Sequence, residues 1–165
     1  FIDATCGRGN DTIYMANILN ENGHVFSYDI QEIAIDYTKN ILNEQNINNV
    51  TLKHKSHEFI DEIEIDLVIF NLGYLPGSDH SIVTKPNTTV EAIEKLLKLL
   101  KVGGMIVLVV YHGHEGGKEE RDEVIRYVSE LPQKYVHVLR YEFINQKNDP
   151  PFIIALEKVK PLPSK

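Results

Sequence analysis

Apolar residues along the chain follow two patterns, short continuous runs and longer stretches in which they recur every three or four positions. The runs at residues 65–70 (IDLVIF) and 105–111 (MIVLVVY) predict strands that are covered on both faces. The recurring pattern predicts helices at residues 11–21, 31–45, 90–101 and 119–131. Further strands are predicted at residues 1–2, 24–28, 50–53, 135–144 and 152–159.

The third helix has predicted limits on both sides. Thr88 and Glu91 have the spacing of a capping box, which predicts a helix start after a long loop over residues 71–87. Gly103 and Gly104 are expected to end this helix before the next strand begins.

The order of these elements predicts an α/β fold. Strands alternate with helices until the last two strands, which no helix separates and which should therefore pair antiparallel. We predict a Rossmann-like sheet of seven strands, mostly parallel with the last strand antiparallel, and helices on both faces. Right-handed crossovers bring the strand ends to one edge, so the loops after the strands should meet in one cleft.

Length limits the domain organisation. The 165 residues predict a single domain over residues 1–165. Because Phe1 lies inside a predicted core strand, we expect that an N-terminal segment is missing before it. No apolar run approaches the roughly 20 residues that span a bilayer, so no membrane association is predicted.

Cysteine content and charge narrow the function classes. Cys6 is the only cysteine, which excludes an internal disulfide or a cysteine-based zinc site and favours a cytoplasmic location. A net charge of −7 argues against a general nucleic-acid coat protein, although a local basic patch, or a homodimer that builds one, is left open. Basic residues in the last third could meet phosphates or form a salt-bridged face; they are Lys118, Arg121, Arg126, Lys134, Arg140 and Lys147.

A glycine loop follows the first strand. Gly7 and Gly9 allow a sharp turn and the close approach of a ligand to the backbone. Asp29 ends the second strand about 20 residues later, where an acid can accept both hydroxyls of an adenosine ribose. Thr12 stands where a dinucleotide site has its third glycine, and Asp3 suits a zwitterionic methionine end better than a phosphate. The loop therefore favours S-adenosylmethionine over a dinucleotide.

Other residues near this loop complete the predicted cofactor site. Thr5, Asn10 and Asp11 lie in or directly after the loop, and Gln31 follows Asp29. His57, just after the third strand, is a candidate for contact with the adenine, and a surface histidine is the alternative. Cys6 is expected to pack the loop, because no base partner that would make it a nucleophile accompanies it.

A second loop follows the fourth strand directly, with the sequence NLGYLPG at residues 71–77. The side chain of Asn71 can accept a hydrogen bond from an amine and is also a candidate cofactor contact. Tyr74 can cover a planar base by stacking. The placement resembles the Asn/Asp-Pro-Pro-aromatic loop of methyltransferases that modify amino nitrogens, with Leu-Gly in place of Pro-Pro. A turn with a buried tyrosine is the alternative.

Two histidines follow the fifth strand. His112, His114 or water could take the proton of an attacking amine, and the histidines could equally contact RNA or cap the cofactor pocket. Solvated loop histidines are the plainer alternative. Together with Glu115 they lack the helical spacing of metal ligands, so no metal site is predicted.

Four segments make the sequence similar to a known family. They are residues 3–12 (DATCGRGNDT), 71–77 (NLGYLPG), 111–120 (YHGHEGGKEE) and 145–152 (NQKNDPPF). In them the chain resembles the small bacterial class I methyltransferases known as putative rRNA methylases and associated with methylation of 5-aminomethyl-2-thiouridine in tRNA. Arg8 departs from the more typical Asn, and the segment that usually precedes the first strand is lacking.

The resemblance implies the class I methyltransferase fold, S-adenosylmethionine as cofactor, and methylation of the aminomethyl group on a tRNA wobble uridine. Ribosomal RNA or a small amine as substrate is an alternative within the same chemistry. Two other classes are also considered, a nicotinamide-dependent oxidoreductase and a non-catalytic RNA-binding module. The missing third glycine at Thr12 counts against the first, and the presence of Asp3, Asp29 and Asn71 counts against the second.

Overall fold

The computed structural model describes residues 1–73 and 86–163. Its strands are β1 (Ile2–Asp3), β2 (Val25–Asp29), β3 (Val50–His54), β4 (Ile65–Leu72), β5 (Leu100–Val110), β6 (Val136–Tyr141) and β7 (Phe152–Lys158). Its helices are α1 (Asn10–Ile18), α2 (Glu32–Glu44), α3 (Pro86–Leu99) and α4 (Gly117–Ser129), with a short 3-10 helix at His57–Phe59.

The strands form a seven-stranded sheet in the order β3-β2-β1-β4-β5-β7-β6. Strand β2 runs parallel to both β1 and β3, and β4 runs parallel to β5, whereas β7 runs antiparallel to both β5 and β6. The predicted α/β sheet of seven strands with an antiparallel last strand and helices on both faces is thus confirmed. The chain divides into two compact units, Phe1–Asp61 and Glu62–Lys165. That residues 1–165 form a single domain stays a prediction.

The first unit is built on the parallel strands β1, β2 and β3. Ile2 pairs with Phe26, and Val25 pairs with Val50, so the two pairings share β2 as their middle strand. Val25 and Tyr28 of β2 are fully buried. Because β1 and β2 run parallel, the loops that follow their last residues, Asp3 and Asp29, leave from the same edge.

The second unit brings four strand ends into one row. Leu72 at the end of β4 pairs with Val110 at the end of β5, and Val110 pairs with Phe152 at the start of β7. Tyr141 at the end of β6 pairs with Ile153. The loops after β4 and β5 and the β6–β7 connection therefore leave the sheet at the same edge.

The predicted boundaries of the third helix are wrong at both ends. The helix begins at Pro86, so Thr88 and Glu91 lie inside it and do not form the predicted capping box. Proline fits the first turn of a helix because its missing N–H has no partner there anyway. The predicted loop over residues 71–87 overlaps both neighbouring elements, because residues 71 and 72 belong to β4 and residues 86 and 87 belong to α3.

Gly103 and Gly104 lie inside β5 rather than at the end of a helix. Strand β5 starts at Leu100, and the register between β4 and β5 shifts between Ile65 and Leu67. Gly103 has a φ of +85°, and a Cβ on Gly104 would lie 2.8 Å from the carbonyl oxygen of Ile65. The glycines therefore mark an irregularity in the strand where β4 approaches closely.

Within the described part of the chain, no helix combines the length and the apolar character that crossing a membrane would require.

Candidate active site

The glycine loop is tied to the end of β2 through Asp29. The backbone N–H of Gly7 donates to Asp29 Oδ2 at 2.7 Å, and the N–H of Gln31 donates to Oδ1 at 2.9 Å. The N–H of Cys6 donates to the carbonyl of Tyr28 at 2.8 Å. Each carboxylate oxygen of Asp29 keeps one lone pair for a further donor, and the side chain is partly exposed. The acid that was predicted to bind the ribose is therefore also the acid that shapes the loop.

The turn into α1 requires glycine at position 9. Gly9 has a φ of +75°, and a Cβ there would lie 2.6 Å from Thr38 Cγ2 and 2.7 Å from Thr38 Oγ1. Thr38 is buried on α2 and donates to the Gly7 carbonyl at 3.4 Å. Both the backbone conformation and the close approach of α2 exclude a side chain. Thr38 was not singled out from the sequence, because only tertiary packing brings it to the loop.

Asp3, the last residue of β1, holds the glycine loop through hydrogen bonds. Its carboxyl is fully buried, accepts from Thr12 Oγ1 at 2.6 Å and from the Thr5 N–H at 3.2 Å, and Thr12 also contacts Ser27 Oγ at 2.7 Å. Burial raises the pKa of Asp3 from 3.8 to about 7, against the opposing effect of these hydrogen bonds. The Asp3 carboxyl therefore hydrogen-bonds to residues of the glycine loop and of α1. Its contact with the cofactor stays a prediction.

Cys6 is buried in the same network. Its thiol lies 3.4 Å from Thr38 Oγ1 and 3.7 Å from Thr12 Oγ1. Burial, with a smaller contribution from the Asp3 carboxylate, raises the pKa of Cys6 to about 12. A thiol that stays protonated and buried is a packing group rather than a nucleophile.

The other predicted cofactor residues occupy the surroundings of the loop. Asn10 is the first residue of α1 and is exposed, while Thr5, Asp11 and Gln31 are partly exposed. His57 begins the 3-10 helix and is half-buried, and burial lowers the pKa of its imidazole. All of them lie in the first unit, and their roles as cofactor contacts stay predictions.

In the second unit, Asn71 lies near the end of β4, where it pairs with Val109 of β5. Its side chain is half-buried. Gly73 follows with a φ of +124°, a conformation that favours glycine. Tyr74, predicted to cover the target base, lies outside the described residues.

The imidazole of His114 packs against Gly73, directly after β4, and against Gly117, the first residue of α4. A Cβ on Gly73 would lie 3.1 Å from His114 Cε1, and a Cβ on Gly117 would lie 2.8 Å from Cε1 and 2.9 Å from Nδ1. The Gly117 N–H donates to the His114 carbonyl at 3.0 Å. The structure thus brings together the two segments singled out after β4 and β5. Gly117 was not identified from the sequence as a site residue.

His112 has both ring nitrogens engaged. Its Nε2 lies 3.2 Å from the Pro150 carbonyl, and its Nδ1 lies 3.3 Å from Arg121 Nη1. Proton placement on Nε2 satisfies both contacts, since the ring then donates to the carbonyl and accepts from the guanidinium. The side chain is buried and meets the Phe152 ring edge-on, with centroids 5.5 Å apart. This geometry suits a group that holds the β6–β7 connection more than a proton acceptor.

Metal ligation finds no support among residues 1–73 and 86–163, where no group of three or more His, Cys, Asp or Glu side chains could hold an ion.

The sequence matches a protein family over most of its length. The pattern of the family described as "Putative rRNA methylase" covers residues 25–157. The chain belongs to this family. It is 36% identical, over 95% of its length, to the chloroplastic tRNA (mnm(5)s(2)U34)-methyltransferase of Arabidopsis thaliana. The match covers 62% of that relative, so the chain spans about three fifths of its length.

Solved structures of similar sequence share the fold. A putative rRNA methylase from Clostridium thermocellum is 44% identical, with a TM-score of 0.90 over 95% of this chain and 87% of that one. A putative methyltransferase from Streptococcus mutans in complex with SAH is 41% identical, with a TM-score of 0.85 over 95% and 86%. The class I methyltransferase fold is therefore confirmed, and the SAH bound in the Streptococcus mutans structure agrees with the predicted S-adenosylmethionine cofactor.

Proposed function

We propose that this chain is an S-adenosylmethionine-dependent N-methyltransferase that acts on the aminomethyl group of 5-aminomethyl-2-thiouridine at the tRNA wobble position. The similarity to a tRNA (mnm(5)s(2)U34)-methyltransferase over nearly the whole chain carries the proposal. The substrate is accordingly tRNA, and a cytoplasmic location and a homodimer stay open predictions.

The first unit offers groups that fit the cofactor. The loop has no side chain at Gly7 or Gly9, and Asp29 presents a partly exposed carboxylate whose oxygens can each accept another hydrogen bond. These groups would hold an adenosine ribose next to the turn. When bound, S-adenosylmethionine supplies an electrophilic methyl group on a sulfonium.

The second unit offers groups for the amine. Asn71 would accept a hydrogen bond from the amine and orient its lone pair. His114 would take the proton, because its ring lies against the same loop at Gly73. Holding the amine, the methyl group and the sulfur in line would lower the activation free energy by on the order of 7–11 kcal/mol.

Labelled cofactor and nucleoside mass spectrometry test the reaction. Incubation of the protein with S-adenosylmethionine and tRNA that carries 5-aminomethyl-2-thiouridine should add one methyl group to that nucleoside. Ribosomal RNA and free small amines serve as competing substrates, and methylation of either in place of tRNA would refute the proposed substrate. Binding of the cofactor without transfer to any RNA or amine would favour a non-catalytic RNA-binding module.

Two variants test the roles assigned to the amine site. Asn71→Ala and Gly73→Ala should each lower kcat at least tenfold with nearly unchanged cofactor affinity, the second by displacing the His114 ring. Asn40→Ala, an exposed asparagine on α2, is the matched control and should leave kcat unchanged. Loss of cofactor binding in Asn71→Ala would mean that its role in the amine site is wrong.

A further inference from the structure

The connection between β6 and β7 ends in a tip, residues 141–149, that lies beside the proposed amine site. Tyr141 pairs with Ile153, one position beyond the Phe152–Val110 pair at the end of β5. A Cβ on Gly113 would lie 3.9 Å from Asp149 Cβ, so the tip reaches the loop that carries His112 and His114. The tip is thus at the sheet edge where the loops after β4 and β5 begin.

The tip exposes a group of apolar side chains. Tyr141, Phe143 and Ile144 are 60%, 51% and 97% exposed. The rings of Tyr141 and Phe143 meet edge-to-face with centroids 6.1 Å apart, so each ring supports the other while a face remains accessible. Large apolar groups that cluster on a surface next to a site mark a binding surface more often than isolated ones do.

The base of the tip is fixed to the rest of the second unit. The Pro150 carbonyl accepts from His112, and the Arg140 guanidinium lies 4.3 Å from the centroid of the Phe152 ring. Asn148 and Asp149 both have positive φ values, 68° and 50°, which turn the chain back toward β7. The aromatic rings are therefore presented from an anchored support, which lowers the entropy lost when a ligand binds.

The charges of the tip nearly cancel. Arg140 donates to Glu142 at 3.0 Å, and the exposed Lys147 is accompanied by Asp149. Attraction to phosphates cannot then supply most of the affinity, whereas stacking of flat apolar rings needs no net charge. Unpaired bases offer such rings, but bases inside a duplex are already stacked and inaccessible.

We propose that the tip binds unpaired nucleobases of the RNA substrate by stacking on Tyr141 and Phe143, next to the nucleotide that is modified. This rests on the proposed function in taking RNA as the substrate. It assigns the tip a part in holding the nucleotides around the target. Preference for a loop over a duplex follows from this mode of contact.

Fluorescence anisotropy with a labelled RNA hairpin that has an unpaired loop, and with a fully paired duplex of the same length, tests the proposal. The protein should prefer the hairpin. Tyr141→Ala and Phe143→Ala should each weaken hairpin binding about five- to a hundredfold, as expected for the loss of one stacked base. Tyr141→Phe, which keeps the ring, should stay within about twofold of the parent protein.

Tyr37→Ala is the matched control, because Tyr37 is also 51% exposed but lies on α2. It should leave the affinity unchanged. Equal affinity of the parent protein for hairpin and duplex, or unchanged hairpin binding in both alanine variants, would overturn the proposal. The proposal would also be overturned if sedimentation showed that these variants are monomers where the parent protein is a dimer, while hairpin binding is kept.

The binding assay separates this proposal from the reaction. If Tyr141→Ala and Phe143→Ala lose hairpin binding, the stacking surface is supported even when no methyl transfer to tRNA is detected. In that case only the proposed reaction fails. Methyl transfer that persists with unchanged KM in both variants contradicts the stacking surface and leaves the reaction standing.

Discussion

The carboxyl group of Asp3 is buried in a place that disfavours its charge. Burial raises its pKa from 3.8 to about 7. Between these values the folded protein keeps a proton that the unfolded chain has released, so the free energy of unfolding falls as pH rises through this window. A shift of this size corresponds to a loss on the order of 4 kcal/mol above pH 7.

Asp3→Asn should therefore stabilise the protein more at pH 8 than at pH 5. The amide cannot ionise, and it can still accept from Thr12 or Thr5. We expect the difference from the parent protein to grow by on the order of 2–4 kcal/mol between the two pH values, measured by urea denaturation. Asp36→Asn, at an exposed position of α2, is the control and should show no such growth. An equal difference at both pH values would contradict the assignment.

Asp29 combines the shaping of the loop with proposed cofactor binding. Asp29→Ala removes the acceptor of the Gly7 and Gln31 N–H groups together with the proposed ribose contact. We expect cofactor affinity to fall at least tenfold by isothermal titration, because a hydrogen bond to a charged group is worth about 1.5–3 kcal/mol. Asp36→Ala should bind normally. Unchanged affinity in Asp29→Ala would place the ribose elsewhere.

Single residues differ in how well the sequence predicts their contacts. Gly7, Gly9 and Asp29 are recognisable because a tight turn and a strand-end acid have local signatures. The occupation of both His112 nitrogens depends on Pro150 and Arg121, of which Pro150 is 38 residues away. Such partners are set by tertiary packing, so spacing alone left His112 and His114 as equal candidates.

At the scale of elements, β7 supports the end of helix α3. Lys158 Nζ donates to the Leu100 carbonyl at 2.7 Å and to the Lys98 carbonyl at 3.2 Å. The last carbonyls of a helix have no partner within the helix, and a cation there is favourable. The lysine thus joins the end of α3, the start of β5 and the end of β7.

Lys158→Met should lower the free energy of unfolding by about 1–3 kcal/mol, since it removes these two hydrogen bonds, of which the one to Leu100 is buried. Urea denaturation at neutral pH measures the change. Lys98→Met is the matched control, because the Lys98 side chain is exposed and its ammonium pairs with Glu94 at 3.0 Å on the surface. Its effect should stay below about 0.5 kcal/mol. Equal effects of the two substitutions would argue against the support given to α3.

Element types were predicted better than element ends. Within residues 1–73 and 86–163, the four α-helices and seven strands follow the hydrophobic pattern, because burial of one or both faces sets that pattern. The start of β5 at Leu100 was missed, since paired glycines favour a helix end unless a neighbouring strand approaches them. The start of α3 was missed because proline in the first turn competes with a capping-box spacing nearby.

At the scale of the whole molecule, net charge limits how the protein can bind RNA. The chain has a net charge of −7, and the tip of the β6–β7 connection has nearly balanced charges. Few phosphates can be neutralised, so the salt dependence should be weak. We expect log Kd for hairpin RNA to change with log salt with a slope of about 1.5 or less, which corresponds to roughly two phosphates. Anisotropy titrations between low and physiological salt measure it, and a steep slope would point to a basic face instead.

The parallel and antiparallel pairings were predictable from the alternation of strands and helices, because parallel neighbours need a crossover and a hairpin does not. The order of the strands in the sheet was not predicted from the sequence. The sequence could not show which side chains contact one another within each of the two units. His114 packs against Gly73 only because the segments that follow β4 and β5 fold onto one edge of the second unit. The reaction and its substrate were inferred from resemblance, and the family match is consistent with it.

The burial of Cys6 has a practical consequence for labelling. The residue is 4% exposed and burial raises the pKa of its thiol to about 12, so maleimide reagents should leave it unmodified at neutral pH. Because it is the only cysteine, a second one introduced at the outermost position of the tip, Ile144→Cys, would be a single reactive handle. A fluorophore attached there would report directly on RNA binding, and Cys6 would not first have to be replaced.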